Sequence, residues 1–352
     1  MTDYKFIDGN VTSPLGFTAN GVSAGVKAYT NAAAGIADEP IEGVKSGKRD
    51  LAMIYCEKQC SAAAIFTKNL VKSDTIYVTQ KHLQNGRAQA VIVNSGNANA
   101  CNPDGYDKAE AMCKLAAVAL RVAEDDVIVA STGVIGQALP IEPIQKGVDE
   151  LKNILSRYGG TNAAEAIMTT DTVKKEWAVQ LTLDGKTVTI GGIAKGSGMI
   201  HINMGTTLSF VTTDAAISAE MLKSALVEAA DVSYNMVSVD GDTSTNDTCL
   251  VLANGLAGNA KIVSDGPDYE AFRAGLLAVC TSLARQMARD GEGATALFEM
   301  KVVHARTKED ARILARSVVS SSLTKAAIYG HDANWGRILC AMGYSGAEFT
   351  PE

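Results

Sequence analysis

A glycine-rich loop in this chain runs straight into an apolar strand pattern. Loop and strand occupy residues 195–210 and read K-G-S-G-M-I-H-I-N-M-G-T-T-L-S-F. Residues 208–211 are mostly apolar and predict a buried strand. The hydroxyl of Thr206 therefore lies at the mouth of a predicted strand, directly after Gly205.

The chemistry open to Thr206 follows from its surroundings in the sequence. Threonine is a weak nucleophile until a base takes its proton, and no Ser/His/Asp spacing nearby offers a side-chain base. Cleavage before Thr206 would free an α-amine with an ordinary pKa of about 8, which suits a general base for the adjacent hydroxyl. Self-cleavage requires attack on the Gly205 carbonyl, which a residue without a side chain leaves open.

Other interpretations of this stretch stay open on the residues alone. Gly-Thr pairs are common, and a glycine loop leading into an ordinary core strand would give the same pattern. A phosphate-binding loop is disfavoured, because the spacing around Lys195 is not G-x-x-x-x-G-K-[ST] and no helix is predicted after it.

The stretch resembles the self-cleavage motif of the ornithine acetyltransferase family, the glutamate N-acetyltransferases of arginine biosynthesis. The usual form of that motif is K-G-S-G-M-I-x-P-N-M-A-T-M-L-x-F. This chain departs from it at Ile202, where the family usually has proline, and at Gly205, where it usually has alanine. Both changes keep the scissile carbonyl accessible, so they bear on the rate of maturation more than on its site.

Further segments of the same family pattern extend over nearly the whole chain. They are V-T-S-P-L-G-F at 11–17, S-T-G-V-I-G at 131–136, M-T-T-D-T at 168–172, S-V-D-G-D-T-S-T-N-D at 238–247, D-G-E-G-A-T at 290–295 and G-H-D-A-N-W-G-R at 330–337. The last of these has alanine at 333, where the family usually has proline. So many separate motifs in one order make the resemblance specific.

A predicted strand at residues 127–130 ends in a Ser-Thr-Gly turn. Backbone N–H groups where a strand ends in glycine can point at a developing oxyanion, with the Thr132 hydroxyl beside them. Many strands end in such turns, so the signal is weak by itself. The resemblance implies that Thr132 and Gly133 form the oxyanion hole.

The resemblance also implies which residues bind the amino-acid substrate. They are Thr172, Lys195, Thr206 and Glu292. A glutamate between two glycines, such as Glu292, would otherwise be a solvated turn carboxylate or an anchor for an ammonium group.

The implied reaction is a ping-pong transfer. Acetyl passes from N-acetylornithine to Thr206, ornithine leaves, and glutamate then accepts the acetyl group. Whether acetyl-CoA also serves as donor, which would add an amino-acid N-acetyltransferase activity, stays open. No cofactor and no metal are expected.

The implied fold is α/β, a self-processing DmpA/ArgJ-like fold in which layered mixed sheets are flanked by helices. Cleavage would give an α chain, residues 1–205, and a β chain, residues 206–352, which assemble as an α2β2 heterotetramer. The sequence ends in Thr-Pro-Glu, a typical helix opening, so we expect the C-terminal end to be truncated. The family's further segment carries an asparagine and a Ser/Thr that close the substrate site.

Two other functions stay open. A self-processing aminopeptidase of the related fold would use the same threonine on peptides. An inactive scaffold would result if the missing C-terminal segment is essential.

Composition narrows the classes of partner. The chain has 352 residues, 47% of them hydrophobic, and a net charge of −7 without a Lys/Arg cluster, which disfavours nucleic acid and anionic membranes. It lacks a basic and apolar leader and any apolar run of about 18 residues, so we expect a cytoplasmic protein. Its seven cysteines show no paired zinc-ligand spacing and are expected to be reduced.

Hydrophobic periodicity outlines the remaining elements. Strands are predicted from short apolar or alternating runs at residues 50–56, 62–66, 76–79, 89–94, 177–183, 186–190, 236–239 and 295–305. Helices are predicted at residues 107–121, 141–158, 162–168, 268–288 and 308–329, with another after Ser218. Asp184-Gly185 predicts a tight hairpin.

Overall fold

The computed structural model describes residues 4–33, 47–201 and 207–350. The strands of these residues are β1 (Tyr4–Ile7), β2 (Phe17–Val22), β3 (Leu51–Phe66), β4 (Arg87–Asn97), β5 (Val127–Val134), β6 (Lys175–Leu183), β7 (Lys186–Lys195), β8 (Leu208–Thr213) and β9 (Thr248–Ala253). The helices are α1 (Val26–Ala33), α2 (Asp74–His82), α3 (Gly105–Leu120), α4 (Ile141–Ile154), α5 (Gly160–Ala166), α6 (Ala219–Asp231), α7 (Pro267–Arg289), α8 (Lys308–Ser320), α9 (Ser322–Tyr329) and α10 (Trp335–Gly343).

The strands form a mixed, continuous hydrogen-bonded sheet. Its order is β1-β6-β7-β8-β9-β3-β4-β5, and β2 pairs with β3 beside this path. The pairs β4–β5 and β8–β9 are parallel, and the other strand pairs are antiparallel. The long strand β3 pairs with β2 and β4 along its first part and with β9 along its last part, with a register shift between Tyr55 and Cys60. β3 therefore links two halves of the sheet.

Alternate residues of β3 contribute to different hydrophobic clusters, which shows that the two halves pack as layers. In its first part, Met53 lies with α3 and α4, whereas Ile54 lies in a central cluster. In its last part, Ala64 lies in the same central cluster, whereas Ile65 lies with α6 and α7. The order of layers is helices, sheet, sheet, helices, and the predicted layered α/β fold is confirmed.

The strand predicted after the glycine-rich loop is confirmed as β8. All six of its residues are buried, and it pairs with β7 on one side and β9 on the other. A strand covered on both faces tolerates a nearly continuous apolar sequence, which explains the pattern. Thr207, which directly precedes β8, is fixed to the next strand because its carbonyl accepts a hydrogen bond from the Thr248 N–H at 2.8 Å.

The hairpin and one helix start are also as predicted. Asp184 and Gly185 join β6 to β7 with φ values of 48° and 70°, the backbone that a two-residue turn of this kind requires. Ser218 caps α6, since its hydroxyl accepts a hydrogen bond from the Met221 N–H at 3.3 Å.

Three strand predictions are wrong. Residues 76–79 lie inside α2, which Ser73 caps at its N-terminus. Residues 236–239 form the end of a short 3-10 turn and one isolated bridge from Ser238 to His201. Residues 295–305 have no regular secondary structure and are largely exposed, because no described strand pairs with them. In each case the alternating pattern lacked the partner strand that makes an extended segment stable.

The helix predicted over residues 308–329 is divided. Ser321 ends α8 and caps α9, with its hydroxyl accepting a hydrogen bond from the Thr324 N–H at 3.2 Å. A serine side chain can replace a backbone hydrogen bond of the helix. At Ser321 this local cap is favoured over one continuous helix. None of the helices in the described ranges has both the length and the apolar character that a bilayer crossing needs.

Candidate active site

A cavity of about 680 Å³ lies where several strands end. Its walls come from the end of β5, the end of β7, the start of β8 and the loop before β9. Four of the residues with predicted roles line it: Thr132, Gly133, Lys195 and Glu292. Residues more than 60 positions apart in the sequence are thus brought to one place by the sheet.

The predicted nucleophile and cleavage site, Thr206 and Gly205, lie outside the described residues, as does Ile202. The next residue of the chain, Thr207, lines the cavity together with Leu208. The covalent neighbour of the predicted nucleophile is therefore in contact with the cavity.

The proposed oxyanion residues follow from the parallel pairing of β4 and β5. Gly133 is directly opposite Gly96 in this pair, and its φ is 135°. A Cβ on Gly133 would lie 2.2 Å from the carbonyl carbon of Gly96. Glycine is required here because two backbones approach each other more closely than a side chain allows. Thr132, one residue earlier, is buried and lines the cavity.

Lys195 is the last residue of β7 and brings a cation into the cavity. Its Nζ donates a hydrogen bond to the Thr132 hydroxyl at 3.4 Å and lies 4.0 Å from a carboxylate oxygen of Asp171. Burial lowers the pKa of Lys195 below its ordinary value, and Asp171 opposes that shift. Lys195 thus lies between the Thr132 hydroxyl and a buried carboxylate.

Thr172 is not among the residues that line the cavity. Its hydroxyl and its N–H donate to the carboxylate of Asp290, the N–H at 3.0 Å. The structure therefore places Thr172 against Asp290 and outside the lining of the cavity.

Glu292 lies at the exposed rim, and its carboxylate lies against the backbone of the glycine-rich loop. A Cβ on Gly198 would lie 2.1 Å from Glu292 Oε2, so the glycine at this position leaves room for the carboxylate. The Glu292 N–H donates to the Ser197 carbonyl at 3.0 Å. The motif around Glu292 and the loop before Thr206 are thus joined in space.

Two buried features of the site were missed by sequence reasoning. The first is a cluster of three charged side chains, Asp171, Lys175 and Asp290, behind Lys195. The second is Asp247, which lines the cavity and is 2% exposed. Burial raises the pKa of the Asp247 carboxyl well above its ordinary value, and among the described residues its Oδ2 has no hydrogen-bond partner.

The described part of the chain contains no group of three or more His, Cys, Asp or Glu side chains arranged to hold a metal ion. The polar groups that line the cavity include hydroxyls, ammonium groups and carboxylates. Such a set suits polar, charged amino-acid substrates.

The two halves of one sheet pack between helix layers, and a cavity lies at the strand ends, an architecture shared with a known class of proteins. The same fold is found in the L-aminopeptidase D-Ala-esterase/amidase from Ochrobactrum anthropi, described as a variant of the Ntn hydrolase fold. The TM-score is 0.50 at 12% identity, over 87% of this chain and 93% of that chain. The chain therefore has the Ntn-hydrolase-like α/β fold.

Sequence comparison identifies the family. Residues 37–352 match the ArgJ family. The arginine biosynthesis bifunctional protein ArgJ of Symbiobacterium thermophilum is 50% identical over 348 residues, which cover 99% of this chain and 83% of that protein. A crystal structure of the protein of the same name from Bacillus halodurans is 40% identical with a TM-score of 0.50, over 57% of this chain and 98% of that chain. The chain belongs to the ArgJ family, and the predicted resemblance is confirmed.

Proposed function

We propose that this chain is a glutamate N-acetyltransferase of arginine biosynthesis that transfers acetyl from N-acetylornithine to glutamate through an acetyl-Thr206 enzyme. One observation carries the proposal. The cavity brings Thr132, Gly133, Lys195 and Glu292 together with Thr207, the residue next to the nucleophile. Family membership and the relatives' name, arginine biosynthesis bifunctional protein, support the same reaction.

The first half-reaction uses Thr206 as both base and nucleophile. After cleavage, its α-amine takes the hydroxyl proton, and Oγ attacks the acetyl carbonyl of N-acetylornithine. The oxyanion of the tetrahedral intermediate accepts hydrogen bonds from Thr132 and the Gly133 N–H. The C–N bond then breaks, the protonated α-amine of Thr206 returns its proton to the leaving nitrogen, and ornithine departs.

The second half-reaction reverses these steps with a new amine. The neutral α-amine of glutamate attacks the acetyl-Thr206 ester, the same oxyanion site holds the intermediate, and Thr206 Oγ leaves with the proton that the amine loses. Both substrates carry an α-carboxylate, for which the buried cation Lys195 is the matching group. Glu292 at the rim matches the side-chain ammonium group of ornithine.

Self-processing between Gly205 and Thr206 is part of the proposal. The α chain, residues 1–205, would end after β7, and the β chain, residues 206–352, would begin just before β8. Six residue pairs join β7 and β8, from Ile190–Thr213 to Lys195–Leu208, which supports two chains that stay assembled after cleavage. The α2β2 heterotetramer remains a prediction.

A second activity with acetyl-CoA as donor is also proposed. The relatives are called bifunctional, which supports a second reaction. Incubation with acetyl-CoA, followed by mass spectrometry of the intact protein, would reveal acetyl on the β chain if acetyl-CoA is a donor.

Replacing the nucleophile tests the proposal. We expect Thr206→Ala to migrate as one band near 36.8 kDa on a denaturing gel and to transfer no acetyl. Thr206→Ser is the matched control, since it keeps a hydroxyl, and is expected to be cleaved. A normally cleaved alanine variant would refute the assignment. Wild-type protein that releases the N-terminal amino acid from a peptide amide and leaves N-acetylornithine untouched would favour the aminopeptidase.

A further inference from the structure

Lys175 is a fully buried cation directly behind the cavity wall. It is the first residue of β6, and its Nζ donates to Asp171 Oδ1 at 2.7 Å and to Asp290 Oδ2 at 2.6 Å. Its third hydrogen bond goes to the Val173 carbonyl at 3.2 Å. A buried charge costs several kcal/mol unless it is paired, and here two carboxylates share the pairing with Lys175.

The two carboxylates that hold Lys175 also hold the wall of the cavity. Asp171 Oδ1 accepts the Gly196 N–H at 2.7 Å, which fixes the residue next to Lys195. Asp290 accepts the hydroxyl and N–H of Thr172. Asp171 thus ties the M-T-T-D-T segment directly to the glycine-rich loop, and Lys175 joins Asp171 to Asp290 of the D-G-E-G-A-T segment.

The charges of this cluster balance only when Lys195 is included. Lys175 carries one positive charge against the two negative charges of Asp171 and Asp290, which leaves one negative charge for Lys195. Lys195 is 4.0 Å from Asp171 Oδ2, longer than the 2.7 Å contact that Asp171 makes with Lys175. Lys175 thus occupies the closer position at Asp171, and Lys195 keeps its contact with Thr132.

We propose that Lys175 is a positioning residue, which occupies Asp171 so that the ammonium group of Lys195 remains available to a substrate carboxylate in the cavity. The inference rests on the proposed function for the identity of that substrate. Without Lys175, the full charge of Asp171 would draw Lys195 into a tight internal pair. The cavity would lose the ammonium group that contacts Thr132, although Lys27 and Lys48 would still line it.

The pKa of Lys195 depends on the charged groups around it, so a titration of Lys195 can test the role of Lys175. The charged groups that act on Lys195 are Asp171, Lys175, Asp247 and Glu292, and Lys27 and Lys48 also line the cavity. Lys175 lowers the pKa of Lys195 and Asp171 raises it. Removing the charge of Lys175 should therefore raise the pKa of Lys195, and removing the charge of Asp290, which partly neutralises Lys175, should lower it.

The probe is N-acetylglutamate, which has two carboxylates and no group that titrates in the alkaline range. Its dissociation constant is measured by calorimetry from pH 7 to pH 11 for Lys175→Met, Asp290→Asn and their parent, all carrying Thr206→Ala so that neither acetyl transfer nor a freed α-amine contributes. We expect the alkaline loss of binding to move up by about one pH unit in Lys175→Met and down by about one in Asp290→Asn. At pH 7, Lys175→Met should also bind about tenfold more weakly, since Asp171 competes for Lys195.

Lys174→Met is the matched control, because Lys174 is the exposed neighbour that pairs with Glu176 at 3.1 Å. It should leave the binding profile unchanged. Two results overturn the inference: a profile that does not move in either site variant, or shifts in the same direction in both. If Lys175→Met does not fold, Asp290→Asn still decides the question, since only a downward shift agrees with the inference.

Binding of N-acetylglutamate tests this inference, whereas acetyl transfer from N-acetylornithine tests the proposed function. A wild type that binds N-acetylglutamate but transfers no acetyl from N-acetylornithine would refute the proposed reaction and leave the positioning role to be decided by the shifts. A wild type that does not bind the probe overturns the inference itself.

Discussion

Gly133 offers a sharp test of the geometry at the end of β5. Replacing it with alanine adds one methyl group where φ is 135° and where a Cβ would lie 2.2 Å from the Gly96 carbonyl carbon and 2.5 Å from the Asn97 nitrogen. These neighbours are backbone atoms of the adjacent strand, so no side chain can move away. The β4–β5 pair must open to admit the methyl group.

The expected loss has two parts. An L-residue in a left-handed backbone region costs about 1–2 kcal/mol. Forcing atoms into a packed region costs about 1–3 kcal/mol more. We therefore expect Gly133→Ala to lower the free energy of unfolding by roughly 2–5 kcal/mol.

Gly136→Ala is the matched control, because Gly136 also has a positive φ, 79°, yet nothing lies within 4 Å of its Cβ position. It carries the backbone cost alone, about 1–2 kcal/mol. Urea unfolding of both variants and their parent, all in the Thr206→Ala background to keep one uncut chain, measures the difference. Equal losses in the two variants would refute the close approach of Gly133 to Gly96.

Two further predictions concern pH and helix capping. Because burial raises the pKa of Asp247, the folded state resists its ionisation, and the contribution of this carboxyl to the stability of the wild type should fall as pH rises above the ordinary carboxyl value. Asp247→Asn removes this dependence, so its melting temperature relative to wild type should rise from pH 4 to pH 8; a constant difference would contradict the buried acid. Ser218→Ala removes the cap of α6 and should cost about 1 kcal/mol in urea unfolding, whereas Ser218→Gly should cost only a few tenths; equal losses would argue against the cap.

Local chemistry made part of the structure predictable. The Asp184-Gly185 turn and the buried strand after Thr207 follow from residues adjacent in sequence, and both are present. The convergence of Thr132 with Lys195 followed from family resemblance, since residue types alone do not pair positions 63 apart.

The charged cluster could not be predicted in this way. Lys174, Lys175 and Glu176 form a run that is typical of a solvated surface, and only the fold shows that the middle side chain is fully buried. Its partner Asp290 is 115 positions away, at the end of a helix. An ion pair between segments that are far apart in the sequence produces no periodic pattern of residues. Which charged side chains become buried together therefore depends on tertiary packing.

The position of β8 and β9 between β7 and β3 has a practical consequence for making this protein in pieces. A fragment that stops before β8 would leave the hydrogen-bonding edges of β7 and of the last part of β3 open to solvent. Long apolar edges of this kind recruit other chains and aggregate. Genes for the two halves expressed in separate cultures should therefore yield insoluble material, and recovery of a native assembly should require synthesis as one polypeptide.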